Sequence, residues 1–173
     1  MIEENNIGER DPLWRKIIIM LIAIALLFLV TSYILLSYPI FPILESISES
    51  KLAENKTIVL EDFSIIFTEG TYDGIQEYYN GDLSVEMAVC LKGTISGDYT
   101  INEIYQPEII EQTFDHVSFR PCSEDTLILL HSHPFRRCIA SQQDLITLDS
   151  TKEKNPNSLM VIMCEQNRFS VYG

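Results

Sequence analysis

The feature that most constrains this chain is an unbroken apolar run, Ile17–Leu36 (IIIMLIAIALLFLVTSYILL), with no charge, glycine or proline. Twenty residues at the helical rise span about 30 Å, the thickness of a bilayer's hydrocarbon core. A helix of this length with no polar face predicts a single membrane anchor. Trp14 precedes the run, Tyr33 and Tyr38 close it as interfacial aromatic residues would, and Pro39 and Pro42 end the helix. A cleaved signal peptide is the competing reading. Its apolar region is shorter, roughly 7–15 residues, and ends in a small-residue cleavage site. The stretch SYPIFPILESIS contains none. The expected division is a cytoplasmic tail over 1–16, a transmembrane helix over 17–38, a linker over 39–56 and a folded domain over 57–173. Arg15 and Lys16 abut the run, with Arg10 nearby, whereas Glu45 and Glu49 come before the first base, Lys51, on the far side. The positive-inside rule therefore places the N-terminus in the cytoplasm and the domain outside.

About 124 residues remain from position 50 onward. That length suits one modest core and excludes a TIM barrel or a two-domain enzyme. The net charge is −13 overall; from Lys51 onward 9 Lys and Arg face 19 Asp and Glu. Nucleic-acid binding needs clustered cations and is not expected.

The domain sequence alternates short β-rich and helical stretches. Thr57–Leu60, Phe63–Phe67, Tyr99–Tyr105, His116–Arg120, Thr126–His131, Leu159–Cys164 and Arg168–Tyr172 read as strands. Val85–Leu91 is a short apolar stretch that Lys92-Gly93 is expected to terminate. Tyr72–Tyr79 and Ser141–Leu148 carry helical spacing, with Leu145 and Leu148 on one face of the second. Residues 43–56 read as a polar linker or short helix. Interleaved strands and helices predict an α/β domain with a mixed sheet.

The chemistry concentrates in His131-Ser132-His133-Pro134, followed after seven residues by Ser141-Gln-Gln-Asp144. Alternate strand residues share a face, so His131 and His133 present two imidazoles together at a strand end. Ser141-x-x-Asp144 is a capping box that opens a helix, which needs no metal to exist. Capping and ligation are compatible, because the helix start fixes where Asp144 points. Two His and one Asp supply three ligands to Zn²⁺ and leave a fourth position for water. Glu86, an acid inside the apolar LSVEMAVCLKG, is either an edge residue facing solvent or the base such a site requires.

Glu86 with His131-x-His133-x7-Ser141-x2-Asp144 resembles the JAMM (MPN+) zinc metalloprotease motif in each element and spacing, and Gly93 matches a further glycine of that pattern. The resemblance runs from about Val59 to the last strand. It implies a three-layer mixed sheet of cytidine-deaminase-like type and hydrolysis of peptide or isopeptide bonds by a metal-activated water. One Zn²⁺ would be held by His131, His133 and Asp144. Glu86 would be the general base, and Ser141 would donate to the oxyanion. The implied substrate is a protein or peptide, with the bond often at the C-terminus of a ubiquitin-like protein. The family usually places glycine after the base, where this chain reads Met-Ala-Val-Cys. Two rivals remain: a non-catalytic interaction module of the same fold and a metal-dependent hydrolase of small amides. Deaminases use Pro-Cys-x-x-Cys, whereas Pro121-Cys122 lacks the second cysteine and precedes the histidines.

No Cys-x-x-Cys pair occurs among Cys90, Cys122, Cys138 and Cys164. Cys90 and Cys164 sit in apolar runs and are expected as buried thiols. Cys122 and Cys138 flank the His-x-His strand, within chain reach of a disulfide or as two loop thiols. A disulfide would suit an outward domain. His116 reads as an ordinary strand residue, and Arg136 and Arg137 as solvated cations or contacts for a substrate carboxylate.

Overall fold

The computed structural model describes residues 12–37, 48–133 and 137–173. It contains two units, divided after Ile40.

The first is helix α1, Leu13–Ser37, whose 25 residues include none that is buried. It is long and apolar enough to cross a membrane. The helix begins before the apolar run and takes in Trp14, Arg15 and Lys16. The Thr31 hydroxyl bonds back to the carbonyls of Leu27 and Phe28 at 2.9 and 3.0 Å, so this side chain satisfies itself within the helix. Tyr38, Pro39 and Pro42, together with the linker to 47, lie outside the described residues.

The second unit is an α/β domain. In chain order it runs β1 (Lys51–Leu52), β2 (Thr57–Val59), β3 (Ser64–Phe67), α2 (Glu69–Gly81), β4 (Ala88–Ser96) and β5 (Asp98–Tyr105). It continues through β6 (Ile109–Gln112), β7 (Val117–Phe119), β8 (Ile128–Ser132), α3 (Gln142–Lys152), β9 (Leu159–Glu165) and β10 (Arg168–Tyr172). Eight of these described strands form one sheet in the order β1-β10-β9-β8-β4-β5-β3-β2, and β6 and β7 form a separate hairpin. The pairs β3/β5 and β8/β9 are parallel, so the sheet is mixed as expected. Its two edge strands are consecutive in sequence. Asn55 and Lys56 both take positive φ between them, the geometry of a tight primed hairpin turn, and Glu54 pairs with Thr57 across it. The sheet is thereby curled almost into a barrel.

Side-chain alternation on the central strands sorts the core into two layers. Ile128, Leu130, Val161 and Met163 join a cluster that includes Ile75 of α2; Leu129, Met160 and Ile162 join Leu148 of α3. One helix therefore covers each face. With both faces covered, β8 and β9 read as continuous apolar runs.

Three expectations about the elements change. Lys51–Leu52 is an edge strand paired with β10 rather than linker. Lys92-Gly93 does not end the apolar stretch, because β4 continues to Ser96 through a bulge at that point. A Cβ at Gly93 would run into the Thr100 carbonyl oxygen and lie 2.9 Å from the Ile101 Cα, so glycine is what lets β5 approach. Leu148 is buried but Leu145 is 42% exposed, which leaves α3 a single buried apolar contact residue.

Neither cysteine reading holds: Cys122 and Cys138 are not paired with each other and are not loop thiols, and Cys90 and Cys164 are not buried thiols. The bridges are Cys90–Cys122 and Cys138–Cys164, with Cα separations of 6.1 and 5.2 Å, and no cysteine is free. Cys122 and Cys138 flank β8 in sequence, and β8 lies between β4 and β9. Each meets a cysteine on one of those neighbouring strands instead of the other loop cysteine. Chain reach allowed the first pairing; strand order decided against it.

Candidate metal centre

Strand parity brings the histidines to the correct side. His131 follows Leu129 by two residues on β8, and Leu129 packs on the face that α3 covers. The first turn of α3 carries Asp144 on that same face. Its Oδ1 lies 3.2 Å from His131 Nε2 and its Oδ2 3.4 Å from His133 Nε2. The two Nε2 atoms are 3.0 Å apart. A tetrahedral Zn²⁺ with bonds of 2.0–2.1 Å separates its ligand atoms by about 3.3 Å. Taking one donor atom from each residue, the three lie within 4.8 Å of one another, near enough to share one ion, while the Asp144 carboxylate meets the two imidazoles through its two different oxygens. Their side chains are 5%, 9% and 17% exposed.

The supporting contacts favour ligation. His133 Nδ1 lies 3.2 Å from the Arg137 carbonyl. A carbonyl only accepts, so Nδ1 carries the proton and Nε2 is left as the ligating nitrogen. At the start of α3 the capping box is complete: Ser141 N donates to Asp144 Oδ2 at 2.7 Å, and Asp144 N donates to Ser141 Oγ at 3.2 Å. The Ser141 oxygen accepts in this arrangement, and the same side chain also helps to hold the Asp144 carboxylate. Burial raises the Asp144 carboxyl, but the His131 and His133 rings beside it, with the Ser141 cap, outweigh that and hold it well below the usual carboxylate range.

Glu86 is 6% exposed, so the edge reading is set aside. It precedes β4 and lines the same cleft as the three donors, a cavity of about 270 Å³ that also takes in Asp115, His116, Arg137 and Ser141. Burial pushes its carboxyl up to about 7; Asp144 and Asp115 add to the rise, and His133 and Arg137 oppose it. Its backbone is held on both sides. Glu86 N donates to the Thr113 carbonyl at 2.9 Å, and Gln112 Nε2 donates to the Glu86 carbonyl at 2.7 Å. Next to it, Met87 N donates to Ser132 Oγ at 2.9 Å, and Ser132 N donates to the Met87 carbonyl at 3.0 Å. The residue between the two histidines thus ties the base-bearing segment to the ligand strand.

Sequence reasoning missed these supports. Gln112 lies on β6, an unforeseen strand whose hairpin reaches over the cleft, and nothing local links it to Glu86, 26 residues away. Ser132 had a signal, since the middle residue of a strand His-x-His faces opposite to both. His116 ends the hairpin turn, is exposed, and lines the cleft rather than serving as a plain strand residue. Arg137 is exposed at the cleft wall, and Arg136 lies outside the described residues.

A second cleft of about 370 Å³ shares His116, Val117, Phe119, Gln143 and Thr147 with the first. It lies between the β6–β7 hairpin and α3 and adds Pro121, Leu129 and Ile146 as apolar lining. The donor set can hold a divalent cation, the buried carboxyl can exchange a proton near neutrality, and the adjoining groove offers room for a chain. Comparison with protein-family models and with curated protein sequences finds no match for this chain.

Proposed function

We propose that the domain is a zinc-dependent hydrolase of peptide or isopeptide bonds, with the fold and site of the JAMM type. The observation that carries this reading is the gathering of donor atoms from His131, His133 and Asp144 within 4.8 Å of one another, with Glu86 buried in the same cleft. A helix on each face of a mixed sheet supports the fold assignment. When bound, zinc lowers the pKa of a water to about 7 and polarises a scissile carbonyl. Glu86 takes the proton of the attacking water and delivers it to the departing amine; a carboxyl near 7 suits both transfers. In this reading the Ser141 hydroxyl would turn from Asp144 to the developing oxyanion, a role worth about 3–4 kcal/mol. The groove beside the hairpin would hold the substrate chain.

The side of the membrane follows in this reading from the cysteines. Two disulfides suit an oxidising compartment, as does the charge bias across α1. The domain then faces outward, and its substrates are exported or membrane proteins rather than cytosolic ubiquitin-like conjugates.

Metal analysis of the purified full chain, with cleavage assays on unstructured peptides, ubiquitin-like fusions and small amides, tests the proposal. Stoichiometric zinc with chelator-sensitive peptide cleavage is the expected result. Zinc near zero favours an interaction module, and turnover confined to small amides favours the third reading. Glu86→Gln should retain zinc and lose roughly 10²–10⁴-fold in kcat, because the amide accepts no proton.

A further inference from the structure

The segment 137–141 contributes twice to the metal centre. The Arg137 carbonyl orients the His133 ring, and Ser141 caps α3 and holds Asp144 in the capping box. It belongs to a connection between β8 and α3 and has no ladder of its own, so something else must hold it in register.

Tyr172, in β10, supplies that hold. Its hydroxyl accepts from Ala140 N at 3.0 Å and donates to the Cys138 carbonyl at 3.3 Å. The hydroxyl's proton and a lone pair are thus both spent on the backbone of this one segment. The ring packs into the cluster of Leu129, Leu148, Met160 and Ile162, and β10 is paired with β9 along its length. A half-buried side chain packed on the sheet therefore clamps the 138–139 and 139–140 peptide groups, one peptide short of Ser141. The Cys138–Cys164 bridge tethers the same segment to β9. A single covalent tether still leaves the peptide planes after Cys138 free to turn. The two hydroxyl contacts, one on each side of Ile139, remove that freedom.

We propose that Tyr172 is a positioning residue of the metal centre, its hydroxyl orienting the Arg137–Ser141 segment and through it His133 and Ser141. The proposal rests on the metal-dependent reading above. It extends that reading to the C-terminal strand, which supplies none of the three metal donors. Removing a partner of this outer kind typically lowers metal affinity or activity 10–100-fold.

Tyr172→Phe keeps the ring and its packing and deletes both contacts. In the full chain, zinc affinity measured by competition with a chromogenic chelator should fall about 10-fold or more. The kcat for a peptide substrate should fall with KM nearly unchanged, since no substrate contact is removed. Combining the change with Ser141→Ala separates positioning from general loosening. If Tyr172 acts through Ser141, its effect on kcat shrinks in the Ser141→Ala background while the loss of zinc affinity persists. Wild-type zinc affinity and kcat in Tyr172→Phe would overturn the proposal, as would fully multiplicative effects in the double variant. Parent protein that binds no zinc would overturn the metal-dependent reading itself, an outcome distinct from a zinc-binding parent with an indifferent Tyr172→Phe.

Discussion

With its carboxyl raised to about 7 in the fold against an ordinary 4.5, Glu86 keeps a proton between those values that the unfolded chain gives up. The native state therefore binds more protons across that window, and stability falls as pH rises through it. The stabilising contribution is complete below about 4.5 and gone above about 7, with a total on the order of 3 kcal/mol. Asp144 works oppositely: its lowered carboxyl contributes above its ordinary value of 3.8 and is lost only in stronger acid, outside this window. Urea denaturation of chelator-treated protein at a series of pH values should show the decline. Glu86→Gln should flatten it, and an unchanged slope in that variant would remove Glu86 as its source. The ligands behave differently from the base. His133→Ala and Asp144→Ala should each lose zinc in equilibrium dialysis along with activity, whereas zinc binding equal to the parent's would mean the donor set is wrong.

Among the elements, β4 does the most to place the site, because it pairs with both β5 and β8 and follows directly from Glu86. Its close approach to β5 depends on Gly93. Gly93→Ala puts a methyl against the Thr100 carbonyl and should cost about 1–3 kcal/mol or more by overpacking, read as a lower urea midpoint. Gly70→Ala, where an added Cβ meets nothing within 4 Å in α2, should instead be neutral or stabilising by up to about 1 kcal/mol. The bond from Met87 N to Ser132 Oγ is the second tie. Ser132→Ala leaves a buried donor unpaired, costs about 1–3 kcal/mol, and should lower kcat by loosening Glu86. If Ser132→Ala matches the parent in both stability and kcat, that tie does not position the base.

At the scale of the whole molecule, the two bridges close loops with sequence separations of 32 and 26 residues. In the chain-entropy treatment each removes about 3–4 kcal/mol worth of unfolded-state freedom, a substantial share of a small domain's stability. Reduction should therefore lower the melting temperature sharply. The bridges also report the compartment. Cells quenched in acid and alkylated under denaturing conditions should show no tagged cysteine before reduction and all 4 after it, if the domain faces outward. Tagging without reduction would place the domain in the cytoplasm and restore ubiquitin-like proteins as the substrate class.

The apolar run of α1, the strand and helix periods and the members of the donor set could all be read from sequence, because each is set by local spacing. Parity on β8 puts His131 and His133 on one face, and a capping box fixes Asp144 at a helix start, whatever surrounds them. The cysteine partners, the burial of Glu86, the hairpin over the cleft and the Tyr172 clamp could not be read in this way. Each depends on which strands lie side by side. Cys90 meets Cys122, and Gln112 meets Glu86, only because the sheet runs in the order β9-β8-β4-β5 with the hairpin folded across it. Local chain stiffness determines spacing and period. Neighbours distant in sequence are decided by how two helices and a curled sheet bury their apolar faces together.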